Sequence, residues 1–264
     1  MARKNSLKNV LRLLDEVEDV RPVEDCFLSD LKRSIELNDK KNRRKPSQMY
    51  KPSSMGCVRN MYYQRIGIEP ENQDVSYVLV GICNSGTDIH VRVQTAVSEM
   101  KENGIDCEYI DVAKFVKQRE LEDVEVVSQV GMETKLRHNK YHLSFMCDGI
   151  IRYKGKYYIL ELKTETVNKW FSRKGVDPAH HAQGTCYSLA LGLDNVIFIY
   201  INRDTLDMKS YMFTPTQEMR DEIIDKIKYS EECVEKQTAP RKPADVQKKF
   251  CTYCGYKKEC RKDG

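Results

Sequence analysis

Two short, strongly apolar segments constrain the fold most: Phe145-Met146-Cys147-Asp148-Gly149-Ile150-Ile151 and Tyr157-Tyr158-Ile159-Leu160-Glu161-Leu162-Lys163. Runs of this length read as buried strands, and Lys154-Gly155 between them reads as a tight turn. The expectation is a hairpin with strands at about 141–151 and 156–163. Side chains two apart on a strand share a face, so Ile159, Glu161 and Lys163 point the same way, and the hairpin lays Asp148 beside Glu161. Charges in such strands are costly to bury unless they are paired or hold a cation.

Other elements follow from periodicity. A strand is expected at about 123–130. Ile89, Val93, Ala96, Val97 and Met100 mark the inner face of a helix over 86–102. A helix over 178–192, an apolar strand over 196–201, a strand near 208–213 and a helix from Thr216 to about 234 complete the core. Leu7, Val10, Leu11, Leu14 and Val17, then Leu28, Leu31 and Ile35, suggest two amphipathic helices separated near Pro22. The stretch 39–53, with Pro46 and Pro52, reads as a linker. Three regions result: an N-terminal helical and basic segment (1–45), a core (46–235) and a cysteine-rich tail (236–264). The order of elements implies an α/β class with a mixed central sheet flanked by helices.

Composition narrows the class. Apolar residues make up 40% and charged residues 32%, which fits a globular chain and not a disordered one. No apolar run reaches the roughly 18 residues of a membrane span, and acidic residues interrupt the N-terminus where a secretory leader would need an apolar core. A cytoplasmic protein without membrane partners is therefore expected. No Gly-rich phosphate loop of the P-loop or dinucleotide type occurs. The net charge of +4 is small, but its distribution is uneven. Lys40, Lys41, Arg43, Arg44 and Lys45 cluster, and residues 236–262 carry nine basic side chains against Asp245 and Glu259. Such clusters either track a phosphate backbone or form a solvated face.

Asp148, Glu161 and Lys163 suit a divalent-cation site for phosphodiester hydrolysis. Hard oxygen ligands hold magnesium or manganese, and a lysine can orient a water and offset transition-state charge. The structural alternative is a surface Glu–Lys pair with Asp148 in a turn. His90, in Gly86-Thr87-Asp88-Ile89-His90, offers a further ligand or a core histidine. Gln183 and Tyr187, four apart on one helix face, could position substrate or simply pack.

In this order, Gly86…His90, Asp148, Glu161-Leu162-Lys163 and Gln183…Tyr187 resemble the PD-(D/E)XK nuclease superfamily in its RecB-like form, over about residues 54–262. The resemblance implies a restriction-endonuclease-like core. It implies Asp148 and Glu161 as metal ligands, His90 and the Leu162 carbonyl as further ligands to magnesium or manganese, Lys163 as the catalytic lysine, and Gln183 and Tyr187 as substrate-binding residues. Members often carry Gly two residues before the acid, where this chain has Met146.

Ten cysteines without a secretory leader argue for thiols or metal ligands. Cys26, Cys83, Cys107, Cys147, Cys186 and Cys233 read as core residues. Cys251, Cys254 and Cys260 form a C-x2-C-x5-C tail, and Cys57 is the candidate fourth thiolate. This one-plus-three pattern resembles the iron–sulfur branch of the superfamily, the AddB-type and Cas-four-type nucleases. It implies a [4Fe–4S] cluster clipping the two arms together. Structural zinc and a redox Cys-x-x-Cys pair are the alternatives. Tyr62, Tyr63, Tyr253 and Tyr256 nearby would stack on single-stranded bases or bury against the metal. By resemblance the activity is exonucleolytic, on DNA with free ends, single-stranded and 5′-to-3′ in many relatives, with partners in recombination, repair or CRISPR adaptation and phage-encoded members among them. A non-catalytic nucleic-acid-binding protein is the rival reading.

Overall fold

The computed structural model describes residues 22–42, 46–71, 75–244 and 248–263. In chain order the elements are α1 (Val23–Lys41), a 3-10 turn (Pro52–Ser54), α2 (Val58–Arg65), α3 (Tyr77–Glu99), β1 (Cys107–Ile110) and α4 (Val112–Gln118). Then come β2 (Val124–Val130), β3 (Glu133–His138), β4 (Leu143–Cys147), β5 (Gly149–Tyr153), β6 (Lys156–Glu165), α5 (Val167–Ser172) and α6 (Pro178–Leu191). The chain continues through β7 (Val196–Asn202), β8 (Met208–Phe213), α7 (Gln217–Glu235), α8 (Lys248–Thr252) and α9 (Lys257–Lys262).

Contacts divide the chain into two units, residues 1–44 with 74–83, and residues 45–73 with 84–264. In the first, α1 has no buried residue; Glu36 accepts a hydrogen bond from the Tyr77 amide (3.0 Å), and the Lys32 ammonium lies 5.0 Å from the Tyr77 ring centre. The helix anticipated from Leu7 to Val17, and Arg43, Arg44 and Lys45, lie outside the described residues.

The second unit is built on a five-stranded mixed sheet of order β1-β5-β6-β7-β8. Only the β6–β7 pair is parallel, and its crossover carries α5 and α6. The hairpin between β5 and β6 turns on Lys154 and Gly155, whose φ values of 48° and 76° are those of a type I′ turn. A separate three-stranded antiparallel sheet, β2-β3-β4, joins it through the β4–β5 junction. Strand alternation sorts the sheet's two faces. Ile150, Ile159, Phe198 and Tyr200 share a core with Tyr187 and Leu191 of α6 and Ile223 and Ile227 of α7. Ile151, Leu160, Leu162 and Ile201 face Ile89 and Val93 of α3. Asp177 caps α6 by accepting from the Ala179 amide, with Pro178 in its first turn and Gly192 closing it at φ 63°. A side chain at Gly184 would stand 2.8 Å from Phe213, so this glycine sets how closely α6 approaches the sheet.

Several expectations change. The run 141–151 is two strands in two sheets, because Asp148 breaks the ladder: its side chain accepts from the Leu162 amide (2.7 Å), and its carbonyl accepts from Gln94 (2.7 Å). Strands β1 and β3 and helices α2, α4 and α5 were not anticipated. The helix expected over 86–102 starts earlier, at Tyr77. Part of the anticipated linker is core: Tyr50 and Pro52 are buried, and Tyr50 pairs with the strand at Leu143 through Tyr50 N to His142 O and Ser144 N to Tyr50 O. Of the presumed core cysteines, Cys107, Cys147, Cys186 and Cys233 are buried, whereas Cys83 is exposed and Cys26 half-buried.

Candidate active site

Asp148 sits at the junction of the two sheets and is held from three sides. Its Oδ2 takes the Leu162 amide, its carbonyl takes Gln94 Nε2 and the Tyr109 hydroxyl (3.1 Å), and its Oδ1 lies 3.5 Å from His90 Nδ1. Gly149 makes room for this: a Cβ there would meet the Tyr109 ring at 2.6 Å. His90 also lies 3.7 Å from Glu133, at the start of β3. Donor atoms of His90, Glu133 and Asp148 gather within 4.8 Å of one another, the one such grouping among the described residues. Burial alone would lower the His90 pKa, but the two carboxylates outweigh it and raise it to about 9. The imidazolium proton thus offsets negative charge where a cation would do so more fully.

Glu161 is 3% exposed. Its Oε1 accepts from Lys163 Nζ (2.6 Å) and from Gln183 Nε2 (2.7 Å), while its Oε2 is buried with no hydrogen-bond partner. Burial first, and then the Asp148 charge, push its pKa well above the carboxylate range. A buried, unpartnered carboxylate oxygen beside a second carboxylate is what a hard cation satisfies. Gln183 also donates to the Tyr187 hydroxyl (2.7 Å), which in turn donates to the Met146 carbonyl (2.9 Å). Helix α6 therefore ties Glu161 to the strand that delivers Asp148. The hairpin brings Asp148, Glu161 and Lys163 together and α3 adds His90, with Gln183 and Tyr187 behind Glu161; Leu162 contributes its amide to Asp148, and its side chain is in the core.

Sequence reasoning missed Glu133, Gln94 and Tyr109. Glu133 follows a two-residue turn in which Gly131 has φ 60°, and that glycine between two alternating segments was the available signal. Gln94, fully buried four residues after His90, was visible as a polar residue on the inner helix face.

The four cysteines form a second locus. Cys57, Cys251, Cys254 and Cys260 line one cavity of about 180 Å3. Burial pushes the Cys57 thiol up, and the neighbouring Cys254 and Cys260 add to the rise. Helix α2 holds the tail through buried polar side chains. Arg59 donates to the Pro240 and Cys260 carbonyls (2.8 and 3.0 Å), and Asn60 donates to Cys254 Sγ (3.3 Å). No three of the four sulfurs, all among the described residues, lie within 4.8 Å of one another. Zinc–sulfur bonds of about 2.3 Å would require sulfurs roughly 3.8 Å apart. Tyr62, Tyr63 and Tyr256 are buried beside this locus, while Tyr253 is 72% exposed.

No protein-family profile matches the chain, and no curated protein does. Among solved structures it is similar to the crystal structure of SSO0001, at 14% identity and a TM-score of 0.47, covering 90% of this chain and 98% of that one. It is also similar to an alkaline exonuclease (LHK-Exo) from Laribacter hongkongensis, at 12% identity and a TM-score of 0.42, covering 73% of this chain and 90% of that one. The same exonuclease in complex with dAMP gives 12% and 0.41 over the same shares. At these scores the likeness is distant, and function has to be read from the residues. Among the described residues no helix is long and apolar enough to cross a membrane.

Proposed function

We propose that the chain is a divalent-cation-dependent deoxyribonuclease of the PD-(D/E)XK type. The observation that carries this reading is the Glu161 carboxylate: one oxygen tied to Lys163 and Gln183, the other buried without a partner, beside Asp148 and the His90–Glu133 pair. Asp148, Glu161 and His90 would hold magnesium or manganese, with the Leu162 carbonyl and Glu133 as further donors. Such an ion polarises a phosphoryl oxygen and lowers the pKa of a nearby water.

The protein's own groups do the rest. Lys163 orients the attacking water and offsets the charge that builds on the phosphate. Gln183 fixes the rotamer of Glu161, and Gln94 and Tyr109 fix the backbone of Asp148, so the two carboxylates are preorganised. The reading extends to an exonuclease acting on DNA with free ends, with Cys57, Cys251, Cys254 and Cys260 holding a [4Fe–4S] cluster. The one-plus-three spacing, with a single cysteine on the first arm, supports that group over a zinc ribbon built of two Cys-x2-Cys knuckles.

The test is digestion of uniformly labelled linear and closed circular DNA with manganese or magnesium, by wild type and Asp148→Ala. Cation-dependent loss of label from the linear form alone, abolished in the variant, is expected. Intact linear DNA under both cations would leave a nucleic-acid-binding protein. Iron and sulfide analysis of anaerobically purified protein tests the cluster, and a zinc-only preparation would exclude it.

A further inference from the structure

A cavity of about 600 Å3 separates the start of α6 from the cysteine tail, with Lys51, Lys169, His180, Phe250 and Tyr253 along its walls. Its lining reaches toward the candidate active site through His180. His180 precedes Gln183 by one helical turn, and its Nδ1 lies 2.9 Å from the hydroxyl of Tyr200, the residue paired with Lys163 across the β6–β7 ladder. Asp177 also borders the cavity, but its carboxylate is engaged by Lys169 (3.0 Å) and Arg173 (3.3 Å) and capped onto the Ala179 amide. What remains toward solvent is the Lys51 ammonium and the aromatic rings, since Lys169 is itself bridged to Asp177 and to Glu165 (3.1 Å). Tyr253 stands out, since the three other tyrosines around the cysteines are buried and this ring is left uncovered on the cavity's rim.

We propose that this groove carries single-stranded DNA to or from the active site, with a base stacked on Tyr253 and a phosphate beside Lys51. The inference rests on the nuclease reading and deepens it by assigning the strand's path. An exposed aromatic ring sharing one groove with the Lys51 ammonium matches a polymer that alternates an apolar ring face with a negative charge. Duplex DNA stacks its bases on one another and offers no internal ring face to such a tyrosine. Gly255 sets the groove's depth, because a Cβ there would stand 2.7 Å from Pro70 Cβ, and this close approach brings the tail loop against the segment after α2.

Fluorescence anisotropy of a labelled oligothymidine of about 12 nucleotides tests the groove. The protein is used full-length, with calcium replacing magnesium or manganese so that the strand stays intact. Tyr253→Ala should weaken binding about tenfold and Tyr253→Trp should restore it. Lys51→Glu should weaken binding and flatten its salt dependence. Blunt duplex binding should be unchanged by Tyr253→Ala. Oligothymidine affinities within about twofold of wild type for both Tyr253→Ala and Lys51→Glu would overturn the groove, as would equal weakening on duplex and single strand. The two readings fail separately. Wild type that degrades DNA while Tyr253→Ala binds and degrades identically retires the groove alone. Wild type that never degrades DNA yet binds the oligonucleotide through Tyr253 retires the nuclease alone.

Discussion

Glu161 carries two opposed demands. As a buried carboxylate next to Asp148 it costs stability, and Lys163 and Gln183 offset only one of its oxygens. A residue kept for packing would be better replaced by its neutral isostere. Glu161→Gln keeps the shape and a hydrogen bond to the Lys163 region while removing the charge. In metal-free buffer at neutral pH it should therefore melt higher than wild type, by about 2–4 °C for a gain of about 1 kcal/mol. Cleavage should fall by a factor of about 100 or more. Differential scanning fluorimetry with EDTA, paired with a linear-DNA digest, reads both. A variant that is less stable and fully active would mean that Glu161 serves the fold only. The same reasoning explains why the convergence of Asp148, Glu161 and Lys163 was legible in the sequence: unmatched charge inside apolar strands is conspicuous. Glu133 was not, because a carboxylate after a turn is the ordinary content of an exposed loop.

At the scale of elements, hydrophobic period placed α6, α7, β6, β7 and β8 well and failed where polar side chains point inward. Strand β3 buries Thr134, Leu136 and His138, and only one of these is apolar, so its alternation was masked. Strands β4 and β5 read as one because nothing in an apolar run announces a change of sheet; the hydrogen bonds of Asp148 do that. The link between β6 and α6 rests on a second charged cluster. Arg173 donates to both oxygens of buried Glu165, and Lys169 reaches Glu165 (3.1 Å) and Asp177. Burial would raise the pKa values of Glu165 and Asp177, but Arg173 and Lys169 outweigh it at Glu165, and Lys169 with the Ala179 amide outweighs it at Asp177, so both are depressed. A carboxylate whose pKa is lower folded than unfolded adds stability above the unfolded value and loses it as pH falls through the folded one. Glu165→Gln should thus cost about 3 kcal/mol at pH 7, and the gap to wild type should close as pH drops below the ordinary carboxylate range. Urea melts at pH 7, 5 and 3.5 follow this, and a gap that is constant with pH would refute the assignment.

For the molecule as a whole, the arms around the core are joined across a loop of about 190 residues between Cys57 and Cys251, whose closure costs roughly 5 kcal/mol of chain entropy. Buried Arg59, bonded to the Pro240 and Cys260 carbonyls, and Tyr63, bonded to Asp263 (2.6 Å) and packed 5.6 Å from the Tyr256 ring, offset part of that cost without any metal. A thiolate-bound group would supply the remainder, so removing one ligand should release the tail while leaving the sheet folded. Cys233 is a poor control, because it packs in the same cluster as Tyr62, Tyr63 and Tyr256; Cys186, fully buried under the main sheet, is the better one. Cys254→Ala should lose bound iron or zinc and become cleavable by trypsin within residues 236–262, where basic residues are dense. Cys186→Ala should lower the melting temperature through a small cavity and leave the tail resistant. Adding Arg59→Ala to Cys254→Ala should speed tail cleavage further, since the two anchors hold the same segment from different chemistry. If Cys254→Ala and Cys186→Ala show the same proteolysis pattern and metal content, the tail is held by Arg59 and packing alone, and the metal clip is withdrawn.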